Sequence, residues 1–163
     1  ETISTDLKSI LTEAVALKKL APNVVVKIPC IEEGFLATKK LKKLGINTNM
    51  TLCFSVSQAV LAAKMGAKYI SPFVGRVDDI YEHAGDKLLE DIINVYKNYN
   101  FKTKVLAASI RDVEHIEKAA MLGADCVTVP YELLKTFTQH KLTDAGLDKF
   151  LKDWKESGLK LPV

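Results

Sequence analysis

Short runs of consecutive apolar residues alternate along the chain with longer stretches in which apolar positions recur every three to four residues. The runs lie at residues 24–28, 50–54, 69–74, 105–109 and 126–129. Runs that are apolar on both faces suit parallel strands covered by helices. Between them, Leu7, Ile10, Leu11, Ala14, Val15 and Leu17 carry the 3.6-residue period of an amphipathic helix, as do Leu88, Leu89, Ile92, Ile93, Val95 and Tyr96. One phrase recurs three times: a helical run, an apolar residue, Gly, then a short apolar strand. It reads Lys43-Leu44-Gly45-Ile46, Lys64-Met65-Gly66-Ala67 and Met121-Leu122-Gly123-Ala124. Each Gly is predicted to end its helix in the left-handed conformation that only glycine adopts cheaply. Ser4 or Thr5 before Asp6, and Ser55 before the helix of Gln58 to Met65, are the expected N-caps.

Helix and strand therefore alternate five times, which is an α/β pattern. Two architectures compete, an open doubly wound sheet and a (β/α)8 TIM barrel. A nucleotide-binding sheet wants a glycine-rich loop after a strand, and neither GxGxxG nor GxxxxGK[ST] occurs. Polar residues stand instead at the C-terminal ends of several strands: Lys27, Asn49 and Thr51, Ser71 with Arg76, and Ser109 with Arg111. In a barrel that face holds the chemistry, so the barrel is the expected fold. Five strands are visible where eight are required, and the chain opens on Glu1-Thr2-Ile3 directly ahead of a helix. The expectation is one partial, N-terminally truncated barrel domain over residues 1–163, closing with a C-terminal helix at about 143–157.

Composition narrows the function classes. The chain has 163 residues, 48% apolar and 26% charged, so it can bury a core. Net charge is +3, from 23 basic and 20 acidic residues, far from the lopsided balance of a nucleic-acid binder. No apolar run approaches the ~20 residues of a membrane span. The expectation is thus no nucleic-acid and no membrane partner. Three cysteines, Cys30, Cys53 and Cys126, are odd in number and form no CxxC pair, which supports neither a disulfide framework nor structural zinc. The default location is a reducing cytoplasm.

Lys27 is the first candidate for chemistry, because it interrupts the most apolar strand. Such a lysine either snorkels to water or is buried with its pKa lowered, and a neutral amine attacks carbonyls to form a Schiff base. Asn49 and Thr51 fall in step on one strand face, where they position a water or substrate hydroxyl, or else serve turn and strand propensity. Arg76 and Arg111, each preceded by a serine, make a rim suited to phosphate, or are surface arginines. Glu1 by itself says nothing. His83, His115 and His140 have no partners at metal-ligand spacing, so no metal is assigned. Cys30 and Cys53 lie near strand ends, either approaching the mouth or buried as inert hydrophobes.

Four ordered motifs then fix a resemblance. Residues 24–29 (VVVKIP), 45–52 (GINTNMTL), 70–76 (ISPFVGR) and 107–111 (AASIR) are similar to successive strand motifs of the transaldolase family, in particular its small microbial branch with the fructose-6-phosphate aldolases. The resemblance extends through Leu142-Thr143-Asp144 to the final helix around Phe150 and Trp154. It implies a class I Schiff-base barrel enzyme, without cofactor, moving a dihydroxyacetone unit between sugar phosphates in the pentose phosphate pathway. Lys27 would be the Schiff-base lysine on the fourth strand, with strands four to eight present and the end of strand three at residue 1. Asn49 would contact substrate and Thr51 hold the catalytic water, which Glu1 helps activate. Ser71 and Phe73 would line the pocket, and Arg76, Ser109 and Arg111 would hold the acceptor's phosphate.

Glu1 and Phe73 favour transaldolase, since the sister aldolases resemble the same pattern with Gln and Tyr there. The alternatives are a fructose-6-phosphate aldolase, or an inactive sugar-phosphate-binding remnant. The resemblance also implies that an Asp and an Asn of the first two strands lie outside these residues, so the 163 residues alone are expected to show little or no activity. Family members form pentamers or doubled pentamers, and a homo-oligomer is the expected assembly; Leu147, Phe150, Leu151 and Trp154 fit either docking on a neighbour or closing their own barrel.

Overall fold

A computed structural model describes residues 1–81 and 84–161. The chain comprises two compact units, Glu1–Val129 and Pro130–Val163. The first holds α1 (Leu7–Lys18), β1 (Val26–Pro29), α2 (Glu32–Lys43), β2 (Thr48–Cys53), α3 (Val56–Met65), β3 (Tyr69–Pro72), α4 (Val74–Asp78), α5 (Ala84–Asn98), β4 (Lys104–Ala107), α6 (Val113–Leu122) and β5 (Cys126–Val127). The second holds α7 (Tyr131–Leu134), a 3-10 turn (Lys135–Thr138) and α8 (Lys141–Ser157).

Gly66 and Gly123 end α3 and α6 with φ of +85° and +89°, and each donates its N–H back into the last helical turn. That is the geometry the repeated phrase predicts. Ser55 caps α3 by accepting from the N–H of Gln58 at 3.2 Å. At α1 the expectation of Ser4 or Thr5 is corrected: Asp6 is the cap, accepting from Ser9 N–H at 3.0 Å. Ser4 is instead drawn to the Glu13 carboxylate, which also takes the Ile3 N–H at 2.9 Å. A carboxylate is the stronger acceptor for a helix N-terminus, and Asp6 stands next to the first turn.

All five strands are parallel, in the order β1-β2-β3-β4-β5, with no reversal. Each strand pairs with its predecessor in sequence, and helices fill the crossovers. Ile28, Met50, Ile70 and Val105 of the strands are buried, as are Ile10, Leu41, Ala59, Leu89 and Ile92 of the helices that cover them. Met50 faces those helices, since Thr38 of α2 lies 2.8 Å from its sulfur.

The strands are shorter than the apolar runs. Val74 opens α4 rather than ending β3, and Thr128 and Val129 lie beyond β5. Ser109 lies beyond β4 in the left-handed region, with φ +61°. In β2, Leu52 is also left-handed, with φ +56°. There the ladder slips: Met50 pairs with Ile70 but Cys53 pairs with Pro72, so β2 carries one residue more than β3 over that stretch. This is a bulge, and it puts Cys53 on the same sheet face as Met50. Among the described residues no helix is long and apolar enough to cross a membrane.

Candidate active site

Strand register assembles the first cluster. Lys27 on β1 is the ladder partner of Asn49 on β2, and Pro29 is the partner of Thr51. Side chains alternate along a strand, so Lys27, Asn49 and Thr51 share the face opposite Val26, Ile28 and Met50. The Lys27 Nζ lies 3.1 Å from Glu1 Oε2, with side chains 38% and 48% exposed. The backbone holds that pair together, because Thr2 N–H donates to the Lys27 carbonyl at 3.0 Å. Among the described residues the Lys27 amine is partly exposed and meets a carboxylate.

Ser71, by contrast, is almost completely buried and donates to Asn49 Oδ1 at 2.8 Å. The Thr51 hydroxyl is fully buried and has no hydrogen-bond partner among the described residues. A buried hydroxyl without a partner costs stability unless water or substrate reaches it.

A second cluster forms beyond the ends of β3 and β4. Phe73 lies between two neighbours, Phe54 edge-to-face at 5.6 Å and the Arg76 guanidinium over its ring at 5.3 Å. Its backbone bridges to Ala108 on the next strand's continuation. The N–H groups of Val74 and Gly75 donate to the carbonyls of Ala108 and Ser109 at 3.0 and 3.1 Å. The contact is so close that a Cβ on Gly75 would stand 2.1 Å from the Ser109 oxygen.

This docking brings Arg111 to α4, where its Nη2 meets Asp79 Oδ2 at 2.7 Å. That hydrogen bond, with further attraction from Arg111 and Arg76, holds the Asp79 carboxyl below the ordinary carboxylate range and raises Arg111 above its usual value. Arg76 on α4 is thus docked against Ser109 and Arg111 on the loop after β4, past the C-terminal ends of the parallel strands.

Three residues of this cluster had no functional role in the sequence reading. Asp78 and Asp79 follow Arg76 on α4, and His115 sits three residues after Asp112, the N-cap of α6. His115 Nε2 lies 3.1 Å from Asp78 Oδ2. An acidic pair two residues after an arginine, Arg76-Val77-Asp78-Asp79, was the available signal. His140 caps α8 by accepting the Leu142 N–H at 3.2 Å. His83 lies outside the described residues.

Cys30 and Cys53 do not approach this face. Cys30 follows Val26 and Ile28 in the alternation of β1, and the bulge turns Cys53 to the same, helix-facing side, where its thiol lies 3.5 Å from the Ser55 carbonyl. A hydrogen bond to Cys53, then burial, pushes the Cys30 thiol far up from its ordinary value.

Residues 1–161 match the family model described as transaldolase/fructose-6-phosphate aldolase. Curated relatives agree. A probable transaldolase from Dictyoglomus turgidum is 49% identical over 96% of this chain and 72% of its own length. One from Anaeromyxobacter sp. is 51% identical over the same shares, and one from Bartonella henselae is 48% identical over 97% and 72%.

Proposed function

The chain belongs to the transaldolase/fructose-6-phosphate aldolase family, and from that premise we propose that it is a transaldolase working through a Schiff base on Lys27. The observation that carries the reading is the Lys27 amine, register-paired with Asn49 and 3.1 Å from the Glu1 carboxylate on a wet sheet face. An amine so placed can reach a ketose carbonyl, and the carboxylate beside it can take up and return protons.

The reaction runs in two halves. The Lys27 nitrogen adds to the C2 carbonyl of a ketose phosphate such as sedoheptulose 7-phosphate, and loss of water leaves an iminium. The C3–C4 bond then breaks, its electron pair entering the iminium to give an enamine while the C4 hydroxyl gives up its proton. Erythrose 4-phosphate leaves. The enamine carbon adds to the aldehyde of glyceraldehyde 3-phosphate, and water hydrolyses the new iminium, releasing fructose 6-phosphate and the free amine. Glu1 and Thr51 handle the water of formation and hydrolysis, Asn49 contacts the bound three-carbon unit, and Ser71 fixes Asn49 from below.

Arg76, Arg111 and Ser109 hold the phosphate, consistent with charge-assisted, forked recognition of that group. Phe73 lines the pocket without a hydroxyl, so nothing at that position protonates the enamine early. Transfer to an acceptor is thereby favoured over release of free dihydroxyacetone.

On this reading the five parallel strands, in unreversed order, are strands four to eight of a (β/α)8 barrel, since a doubly wound sheet reverses its order at a switch point. Residues 1–163 then belong to one barrel domain of a cytoplasmic homo-oligomer that uses no cofactor. Borohydride reduction of the full-length enzyme that contains these residues, in the presence of fructose 6-phosphate, tests the mechanism. Peptide mass spectrometry should place the sugar adduct on Lys27, and an adduct elsewhere, or none, removes the reading. Free dihydroxyacetone formed without an acceptor aldose would assign the aldolase activity instead.

A further inference from the structure

The cleft between α4, α5 and α6, about 260 Å³, is lined by charged side chains already matched to one another. Lys118 takes Asp86 at 2.7 Å and Glu114 at 3.0 Å. Asp112 caps α6 by accepting the His115 N–H at 2.8 Å. The remaining contacts run in a single line toward Arg111. The Gly85 N–H of α5 donates to Asp78 Oδ1 at 2.8 Å. Asp78 Oδ2 faces His115 Nε2 at 3.1 Å. His115 Nδ1 accepts the backbone N–H of Arg111 at 3.2 Å. With Nδ1 accepting, the neutral ring carries its proton on Nε2 and donates it to Asp78. The two side chains are only 12% and 19% exposed, so the link is shielded from competing water.

We propose that Asp78 and His115 are positioning residues for phosphate recognition: they lock the backbone at Arg111, while Asp79 holds one end of its guanidinium, so that the remaining N–H edge meets the acceptor's phosphate already oriented. This rests on the proposed role of Arg111 as a phosphate ligand. The arrangement fits that task because the two arms grip different ends of one residue. The imidazole fixes where the side chain starts, and Asp79, touching only Nη2, fixes where it ends without covering the rest of the fork. An arginine on a loop without such restraints loses rotamer entropy on binding, whereas a restrained one binds with less to lose.

The competing explanation is that His115 merely caps α6, as a side chain at the third helical position reaching back to the entering backbone. A cap affects folding but has no preference between phosphorylated and unphosphorylated acceptors. Initial rates of transfer from saturating sedoheptulose 7-phosphate to glyceraldehyde 3-phosphate and to unphosphorylated glyceraldehyde separate the two. H115A should raise the KM for glyceraldehyde 3-phosphate about tenfold, leaving kcat and the parameters for glyceraldehyde near wild type. H115N, which keeps an acceptor for the Arg111 N–H, should recover most of the loss. D78N, which retains the bulk of Asp78, serves if H115A does not fold, and should show a smaller rise of the same selectivity.

Equal changes for both acceptors, or no change for either, would overturn the proposal. Failure of the underlying reading is distinguished by R111A, which would then leave the ratio of the KM values for the two acceptors at its wild-type value.

Discussion

The Ser71 hydroxyl donates to Asn49 Oδ1 at 2.8 Å across the seam between β2 and β3. The bond fixes which end of the carboxamide is occupied from below, leaving the Nδ2 donors as what Asn49 offers beside Lys27, its ladder partner. Because Ser71 is buried, the two positions should respond differently to truncation. N49A strands a buried hydroxyl and should cost about 1–3 kcal/mol of folding stability. S71A removes the buried donor and leaves Asn49, at the wetter face, to find water; it should cost less stability while lowering kcat/KM. Denaturant unfolding read beside steady-state kinetics checks this, and equal stability losses would contradict it.

Thr51 presents a sharper contrast between stability and turnover. Its hydroxyl is fully buried without a protein partner among the described residues. T51V keeps the shape and removes the polar atom. Stability should stay within about 1 kcal/mol of wild type, since no protein hydrogen bond is lost. The transfer rate should fall at least about tenfold if the hydroxyl serves a reacting water. Unchanged turnover in a folded T51V protein would remove Thr51 from the mechanism.

Gly75 marks where α4 presses on the loop after β4. Its missing side chain is what allows the approach, since a Cβ would lie 2.1 Å from the Ser109 carbonyl oxygen and 2.7 Å from Arg111 Cγ. G75A should destabilise the fold by about 1–3 kcal/mol, in the range of overpacked sites. It should also raise the KM for phosphorylated acceptors by moving Arg76 and Arg111 apart. Thermal unfolding and acceptor KM values measured on one preparation test both parts.

The start of α1 should loosen in acid. Its Asp6 carboxyl is held low by the hydrogen bond from Ser9, and Glu13 is held low by the hydrogen bonds from Ser4 and Ile3. Both values are depressed in the folded chain, so the unfolded chain binds protons more readily. The contribution is therefore complete above the ordinary carboxylate range and fades as pH falls through the lower folded values. Amide hydrogen exchange at Ile3 and Ser9, corrected for intrinsic rates, should show protection lost in that interval. Asp79 follows the same sign through its hydrogen bond from Arg111.

Much of the fold was legible because local chemistry and global layering agree. Gly66 and Gly123 end helices for a backbone reason that a sequence displays, and apolar runs such as residues 24–28 mark parallel strands covered by helices. Lys27, Asn49 and Thr51 fall on one face by alternation alone. What escaped was set by tertiary contact. Leu52 carries no sign of a left-handed backbone, and the bulge appears only when β2 is laid against β3. Asp6 rather than Ser4 caps α1 because Glu13, a full turn and more away, claims Ser4. His115 looked solitary because Asp78 reaches it from another element. Ser71 reads as a rim hydroxyl, yet it lies beneath Asn49.

The extra residue at Leu52 separates two kinds of nucleophile. Up to Met50 the strand alternates regularly, and one more regular step would have pointed Cys53 the way Asn49 and Thr51 point. The slip turns its sulfur toward the helices with that of Cys30, so neither of these two thiols shares the sheet face of the Lys27 amine. At positions 30 and 53 it is thus backbone geometry, not the absence of cysteine, that keeps a sulfur nucleophile away from the amine.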